Sequence, residues 1–291
     1  MSTRIDWQRE KCAVLIVTHR RPNQVKTIKS LRQQGYTGPI YLIVDNEDPT
    51  LKEYQARFGD KVIVFSKYDY LPVTDAGIQP TLKSVVYARN ASFDIAEGLG
   101  LDWFIELDDD YQSWNWRFDG QLRLLYPERK IHSLDRVFYA LLEFYRSTPL
   151  KALCIAQSGD FIGAPNNEKC QKIMGWRKAM NMYILSPHRR FQFIGELNDD
   201  VNAYVVWGNQ GQLFLTINQV FVRQGRTQQQ PGGLTDLYHK FGTYVKSAMT
   251  VIMAPSCVRI AAIGPTAPRV HHEVIWNQAV PKIIREAWRK F

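Results

Sequence analysis

The chain has 291 residues, of which 45% are hydrophobic, and its formal net charge is +9. These values are typical of an ordinary soluble globular protein with a substantial core, folded as one large domain or two small ones. The positive charge favours a nucleic-acid partner only modestly, because the basic residues are dispersed and a phosphate-bearing small substrate needs only a few of them.

The first half of the sequence alternates between apolar strands and helices. We predict strands at residues 12–18, 40–44, 61–65 and 103–107, and helices at 22–35, 48–59 and 81–97. Pro22 opens the first helix, and Asp48 and Pro49 look like the N-cap and first residue of the second. Continuous apolar strands separated by helices predict a parallel sheet that is covered on both faces.

The second half is less regular. We predict a helix at 134–146, strand-like runs at 152–156, 182–185, 203–206 and 212–217, and a basic amphipathic helix at 281–291 that docks on the core. Residues 228–233 form a loop that is either a plain surface loop or a lid over a bound donor. The apolar run at 249–263 contains Pro255 and Arg259, which argues against a membrane span.

Two further features bear on the compartment. The N-terminus has no apolar signal region, and the four cysteines show neither metal spacing nor a dense disulfide pattern. We therefore expect a cytoplasmic protein with reduced cysteines, in the host cytoplasm if a phage encodes it.

Three consecutive aspartates, Asp108, Asp109 and Asp110, end the fourth predicted strand. Like charges repel each other and lose hydration when partly buried, and a divalent cation such as Mg²⁺ or Mn²⁺ would offset both effects. On an extended backbone Asp108 and Asp110 point to one side and Asp109 to the other. A solvated acidic turn is the alternative interpretation.

Polar side chains also follow the other predicted strands. Thr18, His19 and Arg20 come after the first strand, and Asp45 after the second. Ligands of open α/β sheets bind beyond the carboxyl ends of the strands, so this set suits a nucleoside diphosphate with its cation. Glycine-rich phosphate loops are absent from the sequence, which makes dinucleotide oxidoreductases and P-loop enzymes unlikely candidates.

This ordered series resembles the nucleotide-sugar half of GT-A glycosyltransferases. The segments that carry the resemblance are 14–22, 43–46, 88–90 and 106–110. The resemblance implies a single GT-A domain with a mixed, mainly parallel sheet flanked by helices, in which residues 1–112 bind the nucleotide sugar and residues 113–291 bind the acceptor. It also implies a donor that is probably UDP-linked and a Mn²⁺ or Mg²⁺ cofactor.

The resemblance assigns roles residue by residue. Thr18 and Asp45 would contact the nucleoside, Arg89 and Asn90 would line the donor pocket, and Asp108 and Asp110 would be the Asp-x-Asp pair that binds the metal. We place His19, Arg20 and Asp109 in the donor site as well.

Residues 195–200 resemble the Glu-Asp segment of inverting members, which carries the catalytic carboxylate. Glu196, Asp199 and Asp200 are all candidates for the base that takes the proton of the acceptor hydroxyl, with Asp200 preferred and Asp199 second. The alternative is a surface turn before a strand. His271 would complete the metal site, unless the His271-His272 pair is only structural.

Trp114 and Trp116 follow the aspartates in what reads as a polar loop, where their rings could stack on a sugar or an extruded base, although core packing is the default for any tryptophan. The compact chain and its charge are similar to TET/JBP-associated glycosyltransferases of phage DNA modification, which implies DNA as a partner and a hydroxymethylated base as acceptor. The alternatives are a cell-envelope glycan or lipid-linked acceptor, a metal-dependent nucleotidyltransferase, and a non-catalytic DNA-binding protein.

Overall fold

The computed structural model describes residues 5–71, 82–225, 235–263 and 269–279. The helices are α1 (Lys26–Gln33), α2 (Leu51–Phe58), α3 (Val86–Gly98), α4 (Leu134–Arg146), α5 (Glu168–Gln171), α6 (Asp199–Asn209) and α7 (Thr235–Met253). The strands are β1 (Cys12–Val17), β2 (Ile40–Asp45), β3 (Val62–Phe65), β4 (Trp103–Asp108), β5 (Tyr111–Phe118), β6 (Leu124–Lys130), β7 (Ala152–Gln157), β8 (Gly175–Trp176), β9 (Tyr183–Leu185), β10 (Phe214–Gln224), β11 (Val258–Ile263) and β12 (Arg269–Val274). The predicted loop at 228–233 and the predicted helix at 281–291 lie outside the described residues.

The central sheet has ten strands in the order β3-β2-β1-β4-β9-β7-β10-β5-β6, with β8 paired to β10. The first four strands of the chain are parallel to one another, and β7 is parallel to β10. The antiparallel pairs of this sheet all involve β5, β6, β8 or β9, and β11 and β12 form a separate antiparallel sheet. The predicted mixed, mainly parallel α/β class is therefore confirmed.

Both faces of the sheet are covered. Every residue of β1 is buried, and alternate side chains enter different cores: Val14 and Ile16 pack beneath α1 and α4, while Leu15 and Val17 pack on the side of α3 and α6. This alternation explains why the strand reads as a continuous apolar run rather than a two-residue pattern.

Parallel strands bring their carboxyl ends to one edge. Val17 lies opposite Asp108 in the register of β1 with β4, and Val17 lies opposite Ile43 in the register of β1 with β2. The segments that follow β1, β2 and β4 consequently meet at this edge, which we call the site edge.

Several predicted boundaries were wrong. The first helix begins at Lys26 rather than Pro22, the third begins at Val86, and the second is preceded by Thr50, with Asp48 accepting a hydrogen bond from the Thr50 amide at 2.8 Å. The apolar run at 203–206 belongs to the helix α6, not to a strand. Short apolar runs have no period that separates a buried strand from a buried helix.

No helix in the part of the chain that the structure describes is long and apolar enough to cross a membrane.

Candidate active site

The three aspartates occupy the turn between β4 and β5, at the site edge. Asp109 is buried, and its carboxylate accepts a hydrogen bond from the Thr18 hydroxyl at 2.7 Å and pairs with Arg21 at 3.2 Å. The side chain of Asp108 is 33% exposed, and Asp110 is half-buried. The middle carboxylate thus points into the protein, as the Asp-x-Asp spacing predicts, while its two neighbours remain accessible.

The carboxylates of this turn perturb one another. Burial, together with repulsion from Asp108 and Asp109, raises the pKa of Asp110 to about 7. Burial also raises the pKa of Asp109, although Arg21 and Thr18 oppose the change. The turn thus sets three carboxylates against the guanidinium groups of Arg21 and Arg89, and the ionised form of Asp110 is disfavoured below about pH 7.

A divalent cation fits this donor set. Asp108 and Asp110 offer hard oxygen ligands, and a cation between them would favour the ionised form of Asp110. Within the described ranges no group of three or more His, Cys, Asp or Glu side chains is arranged to hold a metal. Two carboxylates with substrate phosphates and water would complete the shell, which is the usual environment of Mg²⁺ in phosphate sites.

A polar stripe on α1 holds the aspartate turn and the start of β5. The Thr27 hydroxyl donates to the Asp108 carbonyl at 2.7 Å and accepts from the Tyr111 amide at 2.9 Å. Ser30 donates to the Tyr111 carbonyl at 3.0 Å, and the Gln34 amide nitrogen donates to the Trp114 carbonyl at 2.7 Å. The sequence analysis missed these residues, although polar side chains three and four positions apart on a helix are a readable signal.

Buried polar side chains hold the segment that follows β1. The Thr18 hydroxyl also lies 2.7 Å from the Tyr54 hydroxyl, so its polar group is occupied inside the protein. The Thr18 hydroxyl thus supports the Asp109 carboxylate, and the contact of Thr18 with the nucleoside stays a prediction.

The buried carboxylate of Asp48 accepts from the Arg20 amide at 2.7 Å and lies 2.9 Å from the His19 ring. Arg20 has a φ of +56°, which a non-glycine residue adopts rarely. These contacts leave the Arg20 side chain exposed and the His19 side chain half-buried at the site edge. Burial lowers the pKa of His19, against the opposing effect of Asp48. Both residues lie where the sequence predicts a donor phosphate.

Asp45 ends β2 at the same edge. Its carboxylate is buried and pairs with Lys67 at 2.5 Å, and the Lys67 ammonium also donates to the Leu82 carbonyl at 3.1 Å. Lys67 was not singled out from the sequence, because an isolated lysine after a short strand carries no pattern.

Arg89 connects the two halves of the site. Its buried guanidinium lies 3.6 Å from Glu106, 3.6 Å from Asp108 and 3.1 Å from Asp199. Burial alone would lower the pKa of Arg89. The Asp199 carboxylate, the Tyr183 hydroxyl and the carboxylates of Asp108 and Glu106 instead raise it well above its ordinary value. The residue predicted to line the donor pocket is thus a cation that joins the strand β4, which ends in Asp108, to the N-terminus of α6.

Glu106 lies in the middle of β4 and is almost fully buried. Burial raises its pKa to about 8, in spite of the Arg89 guanidinium. A glutamate within an apolar strand is visible in the sequence and indicates a buried ion pair. Here it lies beside the Arg89 guanidinium, which also pairs with Asp108 and Asp199.

The side chain of Asn90 holds the chain at Phe193. Its side-chain nitrogen donates to the Phe193 carbonyl at 3.0 Å and its side-chain oxygen accepts from the Phe193 amide at 2.9 Å. The amide thus fixes the chain before residues 195–200, and its contact with the donor stays a prediction.

The three candidate bases are separated by their contacts. Glu196 is buried and accepts from the Leu82 amide at 2.8 Å and from the Tyr87 hydroxyl at 2.5 Å, which fits a structural role. Asp199 is buried against Arg89, and burial raises its pKa to about 6. Asp200 is half-buried, and its carboxylate accepts from the neighbouring Val201 amide at 2.8 Å. Asp200 is therefore the most accessible carboxylate of this segment.

His272, rather than His271, approaches this segment. Its Nδ1 lies 3.2 Å from the Asn198 amide nitrogen, and burial, with the adjacent His271, lowers its pKa to about 4. The His271 Nδ1 lies 2.7 Å from the His272 carbonyl oxygen. The described residues do not include a group that joins His271 with Asp108 and Asp110, and the metal-binding role of His271 stays a prediction.

The predicted acceptor-binding role of Trp114 was wrong. Trp114 lies in β5, not in a loop, is 1% exposed, and packs its ring against Tyr111 and Phe138. Trp116 is half-buried against the same core. Both rings lie on the α1–α4 face of β5, because residues two apart on a strand share a face.

Comparisons with known proteins agree with the sequence-based resemblance. The model of the TET-Associated Glycosyltransferase family matches residues 12–233. No protein with a curated description matches the chain.

The solved structures that resemble the chain are distant in sequence. One is glucosyl-3-phosphoglycerate synthase from Mycobacterium tuberculosis with Mg²⁺ and UDP, at 10% identity and a TM-score of 0.46, over 92% of this chain and 89% of that one. Another is the same enzyme with Mn²⁺, UDP and phosphoglyceric acid, at 11% identity and a TM-score of 0.48, over 92% and 88%. A third is S. aureus TarS 1–349 with UDP-GlcNAc, at 10% identity and a TM-score of 0.40, over 82% and 66%. The family match spans most of the sequence, and the chain therefore belongs to the TET-associated glycosyltransferases and is a glycosyltransferase.

Proposed function

We propose that the protein is a metal-dependent enzyme that transfers a sugar from a UDP-linked nucleotide sugar to the hydroxyl group of a hydroxymethylated pyrimidine base in phage DNA. The observation that carries the proposal is the Arg89 cluster. One guanidinium lies 3.6 Å from Asp108 and 3.1 Å from Asp199, so the acidic turn and the start of α6 are neighbours, and the half-buried Asp200 follows Asp199 in the chain.

In this proposal the chain is one glycosyltransferase domain, in which residues 1–112 bind the donor and residues 113–291 the acceptor. Asp45 serves the nucleoside, and the exposed Arg20 with His19 attracts the diphosphate. Asp108 and Asp110 hold Mn²⁺ or Mg²⁺. The cation would offset negative charge that develops on the departing diphosphate.

Asp200 is the proposed general base. It removes the proton of the acceptor hydroxyl while the oxygen bonds to the anomeric carbon and the bond from that carbon to the diphosphate breaks, with its electron pair leaving on the phosphate oxygen. Attack from the face opposite the leaving group inverts the anomeric centre. Asp199 stays paired with Arg89. The guanidinium offsets the repulsion between the carboxylates of Asp199 and Asp200.

The acceptor follows from the family. TET-associated members are linked to DNA hypermodification, and the net charge of +9 suits a polyanionic acceptor. A base acceptor would need to leave the stack to reach Asp200, as in other enzymes that modify bases.

The test is a transfer assay on DNA. The protein is incubated with Mn²⁺, a panel of sugar nucleotides and DNA containing 5-hydroxymethylcytosine, and the digested nucleosides are analysed by mass. We expect a hexose or pentose adduct with one donor, lost in Asp108→Ala and Asp110→Ala and kept in the exposed control Asp60→Ala. Donor hydrolysis without any nucleoside adduct would refute DNA as the acceptor, and full activity of the two variants would refute the metal site.

A further inference from the structure

A second pocket lies on the face of β5 opposite to Trp114 and Trp116. It has a volume of about 180 Å³ and is walled by side chains of β5, β6, β10 and the segment after β7, among them Arg117, Tyr126, Glu128, Phe161, Phe221 and Arg223. We call it the Arg117 pocket. The sequence analysis did not assign any function to these residues.

The guanidinium of Arg117 is the unusual element of this pocket. The side chain is 4% exposed, and the polar partners of its guanidinium among the described residues are the Glu128 carboxylate, at 3.9 Å, and the Cys170 Sγ, at 3.5 Å. Its buried Nε has no hydrogen-bond partner there. Buried donors in native proteins are normally satisfied, so this guanidinium lacks an acceptor that a ligand could supply.

Aromatic rings surround the same group. The centre of the guanidinium lies 4.6 Å from the ring of Phe161, 5.8 Å from that of Phe221 and 5.9 Å from that of Tyr126. Tyr126 is 67% exposed and forms the outer wall. Flat aromatic walls with one cation suit a planar ring that carries an oxygen acceptor, which describes a nucleobase.

The surroundings of the pocket are basic. Arg123 and Lys130 are exposed on β6 and the turn before it, Lys172 and Arg177 are exposed on the segment after β7, and Arg223 is 49% exposed and paired with Glu128. Exposed lysines and arginines around an aromatic pocket form the arrangement that tracks a nucleic-acid backbone.

The pocket is also on the acceptor side of the active site. Arg223 lies opposite Ser113 and Phe221 opposite Asn115 in the register of β10 with β5, and β5 begins directly after Asp110. The rise of about 3.4 Å per residue places Arg223 roughly 7 Å and Arg117 roughly 20 Å along the strand from Tyr111. The pocket is thus too far away for the reacting base, and at the distance of a nearby nucleotide of the same strand.

We propose that the Arg117 pocket binds a nucleotide of the acceptor DNA that flanks the modified base, with its base ring among the aromatic walls and an oxygen of that base accepting from Arg117. The inference rests on the proposed function, since it assumes that DNA is the acceptor. It would give the enzyme a preference for the sequence around the modified base.

The test measures binding without donor or metal. The full chain is titrated against a labelled oligonucleotide that contains one 5-hydroxymethylcytosine, and its dissociation constant is measured by fluorescence anisotropy. Tyr126→Ala should weaken binding about tenfold or more, as for loss of one stacked base. Phe144→Ala, which removes an exposed ring of α4, is the matched control and should bind normally. Arg117→Lys, with Arg136→Lys as its control, tests the guanidinium.

An abasic site placed in turn at each flanking position identifies the bound nucleotide. At one position it should weaken binding by the unaltered protein as much as Tyr126→Ala does, and the two changes together should add no further loss. Equal binding by Tyr126→Ala and the unaltered protein would overturn the proposal that the Arg117 pocket binds a nucleotide. The same conclusion would follow if the losses from Tyr126→Ala and from the abasic site were additive at every position. Weaker binding by Tyr126→Ala with no nucleoside adduct would instead overturn the proposed function alone, because binding needs no transfer.

Discussion

Replacing Asp110 with asparagine tests the electrostatics of the acidic turn directly. The folded protein raises the pKa of this carboxyl from an ordinary 3.8 to about 7. Between these two values the folded state keeps a proton that the unfolded chain has released. The free energy of unfolding therefore falls as pH rises through this window, and the penalty is complete above pH 7.

The size of the effect follows from the shift. A shift of about 3 pKa units corresponds to about 4 kcal/mol, which is an upper limit for a half-buried side chain in contact with solvent. We expect Asp110→Asn to be about 2 kcal/mol more stable than the unaltered protein at pH 8 without metal, and the difference to vanish near pH 4.

The assay is urea unfolding at pH 4 and pH 8, with EDTA or with Mn²⁺. Mn²⁺ at a hundred times its dissociation constant should stabilise the unaltered protein by about 2.7 kcal/mol and the variant by less. Asp60→Asn removes an exposed carboxylate elsewhere and should change neither result. Equal or lower stability of Asp110→Asn at pH 8 in EDTA would refute the reasoning, because it would mean that the turn tolerates its three charges without a cation.

Three further outcomes follow from the site. Asp200→Asn should lower transfer by about 100-fold or more while nucleotide-sugar binding, measured by calorimetry, is unchanged; normal turnover would exclude it as the base. Asp199→Asn should cost about 3 kcal/mol of unfolding free energy, because Arg89 loses its nearest carboxylate, and unchanged urea unfolding would contradict this. Thr27→Val should lower the free energy of unfolding by about 1–3 kcal/mol and weaken Mn²⁺ binding, because the aspartate turn loses two hydrogen bonds to its backbone. A metal titration with wild-type affinity would show that Mn²⁺ binding does not depend on these two hydrogen bonds.

The sequence predicted the parallel half of the fold well for a physical reason. A strand covered on both faces must be apolar throughout, so residues 12–17 and 103–107 stand out without any partner information. The second half depends on which short apolar run pairs with which, and residues 203–206 show the difficulty: they are apolar, but they belong to α6.

The sequence indicated where the candidate site residues lie better than it indicated where their side chains point. Arg89 joins Asp108 to Asp199, and Asp45 ends β2 at the site edge, since parallel strands bring their carboxyl ends to one edge. The direction of a side chain depends on contacts distant in sequence, however. Asn90 turns towards Phe193, and Trp114 points into the core because its strand pairs with β10. Neither contact can be predicted from the residues that neighbour Asn90 or Trp114 in the sequence.

The polar stripe on α1 ties residues that are far apart in the chain. Ser30 bonds to the Tyr111 carbonyl 81 residues away, and Gln34 bonds to both the amide and the carbonyl of Trp114. A fragment cut after residue 112 would lose the strand to which Gln34 bonds, and the acidic turn would lose its continuation into β5. Residues 1–112 and 113–291 are therefore not exchangeable modules: a chimaera that joins the first segment to the second segment of another protein must also supply a backbone that Thr27, Ser30 and Gln34 can bind.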